Sequence, residues 1–181
     1  MSINCRLFIS HSNFITVKTL YLIRHAKSSW AEVGMKDFDR SLDERGFKDA
    51  PKMARKLNSL GVKPDWVLSS PAKRAFTTAQ YFALGLGIAI ENIQKKIDIY
   101  EASTSTLLHI VRELPNDKNT ILMFGHNPGF TFLANQFSKE TIDNVPTCGI
   151  VKIEVSADNW KEFNEKTAKV TALLFPKNIN D

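Results

Sequence analysis

Cysteine is scarce in this chain. Cys5 and Cys148 are the only two among 181 residues and stand far apart, which excludes the dense disulfide framework of small secreted domains. A reducing, cytoplasmic setting is the expectation. No apolar run reaches the roughly 20 residues that a membrane helix needs, so a membrane-embedded protein is not expected. A block of one charge sign is missing too. The net charge is +5, but Asp37, Asp39, Asp43, Glu44 and Asp49 interrupt the scattered Lys and Arg, which argues against a nucleic-acid partner. Repeats, linkers and low-complexity tracts are absent, and the length suits a single domain. Residues 1–17 read as an N-terminal extension, because Asn4, Arg6, His11, Ser12 and Asn13 break their apolar pattern and no signal-peptide cleavage site follows. Disorder and an upstream start codon are the two explanations left open for it. Residues 18–181 form the domain.

Within that domain, strand-like and helix-like patterns alternate, which predicts an α/β fold with a largely parallel sheet covered on both faces. Thr19 to Ile23, Pro64 to Leu68 and Thr120 to Phe124 read as strands, and Ile97 to Tyr100 as a further short one. Ser41-Leu42-Asp43-Glu44 has the form of a capping box, with apolar residues from Phe47 to Leu60 at helical spacing, Pro51 as a possible kink and Gly61 as the stop. Ser70 as cap and Pro71 as first helical residue predict a second helix running toward Gly85. Further helices are expected over Thr106 to Leu114 and Pro128 to Phe137. Gly149 to Val155 and Val170 to Phe175 suggest an antiparallel pair that closes the sheet.

Three of the predicted strands stop at basic residues. The first runs into Arg24-His25, the second into Ser69-Ser70-Pro71-Ala72-Lys73-Arg74, and the third into Gly125-His126-Asn127-Pro128-Gly129. Ligands of open α/β sheets bind beyond the carboxyl ends of the strands, so Arg24, His25, Arg74 and His126 are expected to converge there. Such a cluster wants an anion. Phosphoryl transfer is mostly positioning plus electrostatic stabilisation, and arginine's planar fork matches phosphate oxygens. Arg24 and Arg74 would be the clamp. His25, neutral and held by its other ring nitrogen, would be the nucleophile, and His126 would serve the transferring oxygens. Two such roles imply pKa values pushed apart.

Other readings of the same chain are weaker. Cys148 lacks the arginine loop of a cysteine phosphatase, since Glu154 falls where the arginine belongs. Asp37 and Asp39 are too few for a dinuclear metal site, so no metal or cofactor is expected. His109 reads as a helix-surface residue, and Trp30, Trp66 and Trp160 as packing residues. Lys27 and Ser28 either touch substrate or face solvent. Specificity is expected from the loops Lys27 to Asp39, Glu101 to Ser105 and Asp143 to Thr147.

These segments, with Arg40-Ser41-Leu42-Asp43-Glu44-Arg45-Gly46 between the first and second, resemble the histidine phosphatase superfamily, and within it the SixA-type phosphohistidine phosphatases. The resemblance runs from Lys18 to about Phe175. It implies a three-layer α/β/α sandwich of the phosphoglycerate mutase-like fold, with a mostly parallel sheet and an antiparallel C-terminal strand. It also implies that Arg24, His25, Arg74 and His126 form the phosphate pocket, with His25 phosphorylated. Many members carry a carboxylate general acid on an inserted loop for which this chain has little room. Glu101 is the nearest candidate and stays outside the core set. Ala26 stands where many members have glycine. The implied substrate is phosphohistidine on a protein. A small phosphorylated metabolite and a phosphate-binding module without turnover are the alternatives.

Overall fold

Six strands hydrogen-bond into one sheet in the computed structural model, which describes residues 17–30 and 34–179. They are β1 (Val17–Arg24), β2 (Trp66–Ser69), β3 (Ile93–Lys95), β4 (Thr120–Gly125), β5 (Ile150–Ser156) and β6 (Ala168–Leu174), arranged in the order β3-β2-β4-β1-β5-β6. β3, β2, β4 and β1 are mutually parallel, and β5 runs against both β1 and β6. The mixed sheet is the one expected, with the reversal falling on β5. The extension proposed for the N-terminus lies outside the described residues except for Val17, which already pairs with Ser156.

The central strand shows why the sheet is covered on both sides. Leu20 and Leu22 of β1 pack into one core with Leu107, Ile110, Phe130 and Trp160. Tyr21 and Ile23 pack into another with Ala50, Met53, Phe82 and Phe124. Successive side chains of a strand point to opposite faces, so a strand buried on both sides must be apolar throughout. The helices α1 (Glu44–Ser59) and α2 (Lys73–Leu86) supply the second core, while α3 (Thr104–Arg112) and α4 (Gly129–Asn135) supply the first.

Several local expectations change. Asp43, not Ser41, caps α1: its carboxylate accepts from Gly46 N at 2.8 Å. Ser41 and Leu42 stay extended because they pair with the segment after β1, Ser29 N donating to Ser41 O at 3.0 Å. Pro51 lies inside α1, which continues to Ser59 and ends in a Schellman turn: Gly61 at φ 71°, Gly61 N on Asn58 O and Val62 N on Leu57 O. α2 starts at Lys73 rather than Pro71 and is capped after Leu86 by Gly87, φ 72°. Ile97 to Ile99 is a 3-10 turn, not a strand, and the edge strand is Ile93–Lys95, where only Ile93 is buried. Trp160 and partly buried Trp66 pack against the first core as expected, whereas Trp30 is 74% exposed.

Gly85 marks where α1 and α2 meet most closely, since a Cβ built there would lie 2.8 Å from Cβ of Ala54. Gly85→Ala should therefore destabilise the protein by up to about 2 kcal/mol, since overpacking costs about 1–3 kcal/mol and alanine's helix preference returns about 1 kcal/mol. Chemical denaturation measures this, and a stabilised variant would show that the helices can separate freely.

Candidate active site

Register decides where the strand ends fall. Arg24 stands opposite Gly125 on β4, and Ser69 opposite Phe124. The ladders continue one residue further, His25 N donating to Gly125 O at 3.0 Å and Ser70 N to Phe124 O at 2.9 Å. Arg24-His25, Ser69-Ser70 and Gly125-His126 are thus level along one edge of the sheet, and the first turn of α2 brings Arg74 back over them. The four residues expected together are together. Arg74 Nε donates to His25 Nε2 at 3.2 Å, and the rings of His25 and His126 lie 5.2 Å apart between centroids.

The tautomer of His25 follows from its partners. A carbonyl can only accept, so His25 Nδ1, 2.8 Å from Ala26 O, carries the proton. Arg74 Nε can only donate, so Nε2 is the bare nitrogen. Ala26 is itself held, its N–H donating to Thr78 Oγ1 at 3.0 Å. Arg24 donates through Nη1 to Val145 O at 2.8 Å and to Asn144 Oδ1 at 3.3 Å, and Asn127 donates to the same two oxygens.

Asp37 is a residue that motif reading missed. Its carboxylate accepts from Arg74 Nη2 at 2.8 Å, Arg40 Nη1 at 2.7 Å and Tyr100 OH at 2.9 Å, and its carbonyl accepts from Arg74 Nη1. Arg40 in turn donates to Ser29 O and to Ser28 Oγ, so Ser28 does not face solvent; it is buried and anchors Arg40. Arg40 also lies 3.4 Å from the ring of exposed Trp30. Asp37 is isolated in sequence from every strand end, and the one available signal was its three-residue spacing to Arg40, just past the loop Lys27 to Asp39 expected to govern specificity. Tyr100, edge-on to His126 at 5.4 Å, was hidden in a segment read as a strand.

Burial sets the protonation states. It lowers both histidines to about 3, with the Arg74 and Arg24 charges adding to the effect. The two values are not pushed apart as expected, because both rings are buried and the same two arginines act on each. Burial alone would raise Asp37, but hydrogen bonds from Tyr100, Arg74 and Arg40 and the charge of Arg74 hold it at about 2. Burial and the hydrogen bond to Asp37 raise Tyr100 to about 12. Cys148 is fully buried and its thiol is pushed up by burial, which leaves it unreactive. Glu101 is exposed in a left-handed turn, φ 51°, and His109 is exposed on α3.

A pocket of guanidiniums and neutral imidazoles at the carboxyl edge of a parallel sheet defines a class: proteins that handle small oxyanions. Comparison narrows it. The model of the histidine phosphatase superfamily (branch 1) matches residues 20–103. An uncharacterized chloroplastic protein of Arabidopsis thaliana is 31% identical over 153 residues, covering 80% of this chain and 70% of the relative. Phosphoserine phosphatase 1 of Hydrogenobacter thermophilus is 32% identical over 102 residues, covering 54% of this chain and 47% of that protein. The crystal structure of the "putative phosphohistidine phosphatase SixA from Agrobacterium tumefaciens" superposes with a TM-score of 0.74 at 27% identity, covering 88% of this chain and 98% of that one. The chain belongs to the histidine phosphatase superfamily, a family of phosphatases.

The depressed histidines have a measurable consequence. Between pH 6.5 and about 3 the unfolded chain holds a proton on each ring that the folded chain does not, so stability falls on acidification. The slope approaches about 1.4 kcal/mol per pH unit for each ring. Asp37 adds a further loss as pH falls from 3.8 through about 2, since its folded value lies below the unfolded one. Denaturant unfolding from pH 7 to 4 should show this slope, reduced in His126→Asn. A flat profile would mean that the rings are charged in the fold.

Proposed function

We propose that this protein is a metal-independent phosphatase that works through a covalent phosphohistidine on His25, and that its substrate is phosphohistidine on a protein partner in the cytoplasm. One observation carries the reading: the bare Nε2 of His25 is turned toward Arg74 while its Nδ1 proton is held by a backbone carbonyl. A neutral imidazole in that state is a nucleophile without needing a base. Its lone pair attacks phosphorus, the N–P bond forms, and the bond to the leaving group breaks. Water then attacks phosphorus, the N–P bond breaks and inorganic phosphate leaves. Arg24 and Arg74 stay charged throughout and neutralise the equatorial oxygens as charge spreads over them.

The finer substrate reading rests on proton supply. Beside the histidines stand a phenol at about 12 and a carboxylate at about 2. An efficient general acid has a pKa near the working pH, and neither group does. An alkoxide therefore departs with little help from them, whereas an imidazole departs readily. Likeness to SixA supports the same substrate, and the phosphoserine phosphatase relative supports the alternative of small phosphate esters.

His25→Ala should reduce turnover of an aryl phosphate by about a thousandfold or more. Wild type should yield a phosphoenzyme that is stable in base and labile in acid; phosphate binding without such an adduct would make the protein a binder instead. Across aryl phosphates, rates should fall steeply as leaving-group pKa rises, and a phosphorylated histidine protein should outrun phosphoserine. A flat leaving-group dependence with phosphoserine preferred would favour the ester reading.

A further inference from the structure

His25 and His126 are both neutral, yet they must offer opposite things to a phosphoryl group: a lone pair from one and a proton from the other. For His25 the choice is made by Ala26 and Arg74. For His126 it is made elsewhere. Its Nε2 lies 2.9 Å from Ser70 Oγ, and its Nδ1 is buried without a partner among the described residues.

We propose that Ser70 is a positioning residue that donates its hydroxyl proton to His126 Nε2, and so fixes His126 as the Nδ1–H tautomer whose free N–H meets the transferring oxygens. The inference rests on the phosphatase reading above and deepens it by naming the group that orients the second histidine.

Proton counting carries the assignment. A serine hydroxyl has one proton to give and two lone pairs. Ser70 Oγ accepts from Ala72 N at 3.3 Å, which uses one lone pair. Ser70 is 0% exposed, and among the described residues His126 Nε2 is the acceptor within reach of its proton. Were the proton instead on His126 Nε2, two penalties would fall together. The serine proton would be buried with nothing to accept it, and Nδ1 would present a lone pair to an anion. With the proton on Nδ1, both penalties vanish. Arg24 Nε is a second buried donor without a partner among the described residues, and two such donors beside the Arg74 guanidinium suit phosphate oxygens.

The two rings therefore share one tautomer and differ in which edge is tied down. His25 spends Nδ1–H on Ala26 O and presents bare Nε2, whereas His126 spends Nε2 on Ser70 and presents Nδ1–H. The two serines of the motif are not equivalent, since Ser69 Oγ donates to Ser70 O and points away from the ring.

Long-range proton–nitrogen NMR on ring-labelled protein at neutral pH tests this directly, with His126 assigned from the signals lost in His126→Asn. The expected result is a protonated Nδ1 and a bare Nε2. Ser70→Ala should mix the two tautomers and lower kcat roughly tenfold, the worth of one hydrogen bond, with a smaller change in KM. Ser69→Ala should leave the His126 signals in place. A wild-type His126 protonated at Nε2, or a tautomer unmoved in Ser70→Ala, would overturn the role given to Ser70. If His25→Ala is inactive while His126 carries its proton on Nε2, the role of Ser70 alone is wrong. If His25→Ala retains turnover, the phosphatase reading fails whatever the NMR shows.

Discussion

The parallel register of β2, β4 and β1 is the constraint on which the site depends. A parallel ladder aligns the carboxyl ends of strands that are far apart in sequence, and here it sets Ser69 against Phe124 and Arg24 against Gly125. Slipping one strand by a residue would turn its apolar side chains to the wrong core and move its terminal basic residue off the edge. The cores and the site therefore enforce the same alignment. Leu20 and Leu22 on one face and Tyr21 and Ile23 on the other match β1 to both cores in this register.

Given that alignment, the electrostatics follow. Burial beside two guanidiniums makes protonation of the rings costly, so His25 and His126 stay neutral. Neutral rings need fixed tautomers, and both are fixed by short contacts, His25 to its neighbour Ala26 and His126 to Ser70. The cluster of positive charge is partly offset by Asp37, which joins the loop after β1 to the start of α2 and to Tyr100. The carboxylate that looks idle in sequence thus ties Arg74, Arg40 and Tyr100 together.

Residues at strand ends were legible because sheet topology gives strand ends a shared location whatever the loops do. Arg24, His25, Arg74 and His126 could be gathered on that ground alone. Asp37, Arg40 and Tyr100 could not, because their placement depends on loop backbone that no periodicity encodes. Ser70 was visible but misassigned: as a residue before proline it reads as a helix cap, and only the strand continuing to Ser70 N on Phe124 O turns its hydroxyl toward His126. Ile97 to Ile99 was misread for a related reason, since its spacing mimics strand alternation while the chain is turning toward Tyr100.

By itself, then, the order of apolar runs and basic residues determined an α/β chain with an anion-seeking edge, because hydrophobic period and strand topology are local properties carried along the sequence. Tertiary structure decided the rest. Which nitrogen of each histidine is bare, which carboxylate holds the arginine and which serine faces the ring depend on contacts between residues 37 to 56 positions apart, and distance in sequence carries no information about hydrogen-bond geometry.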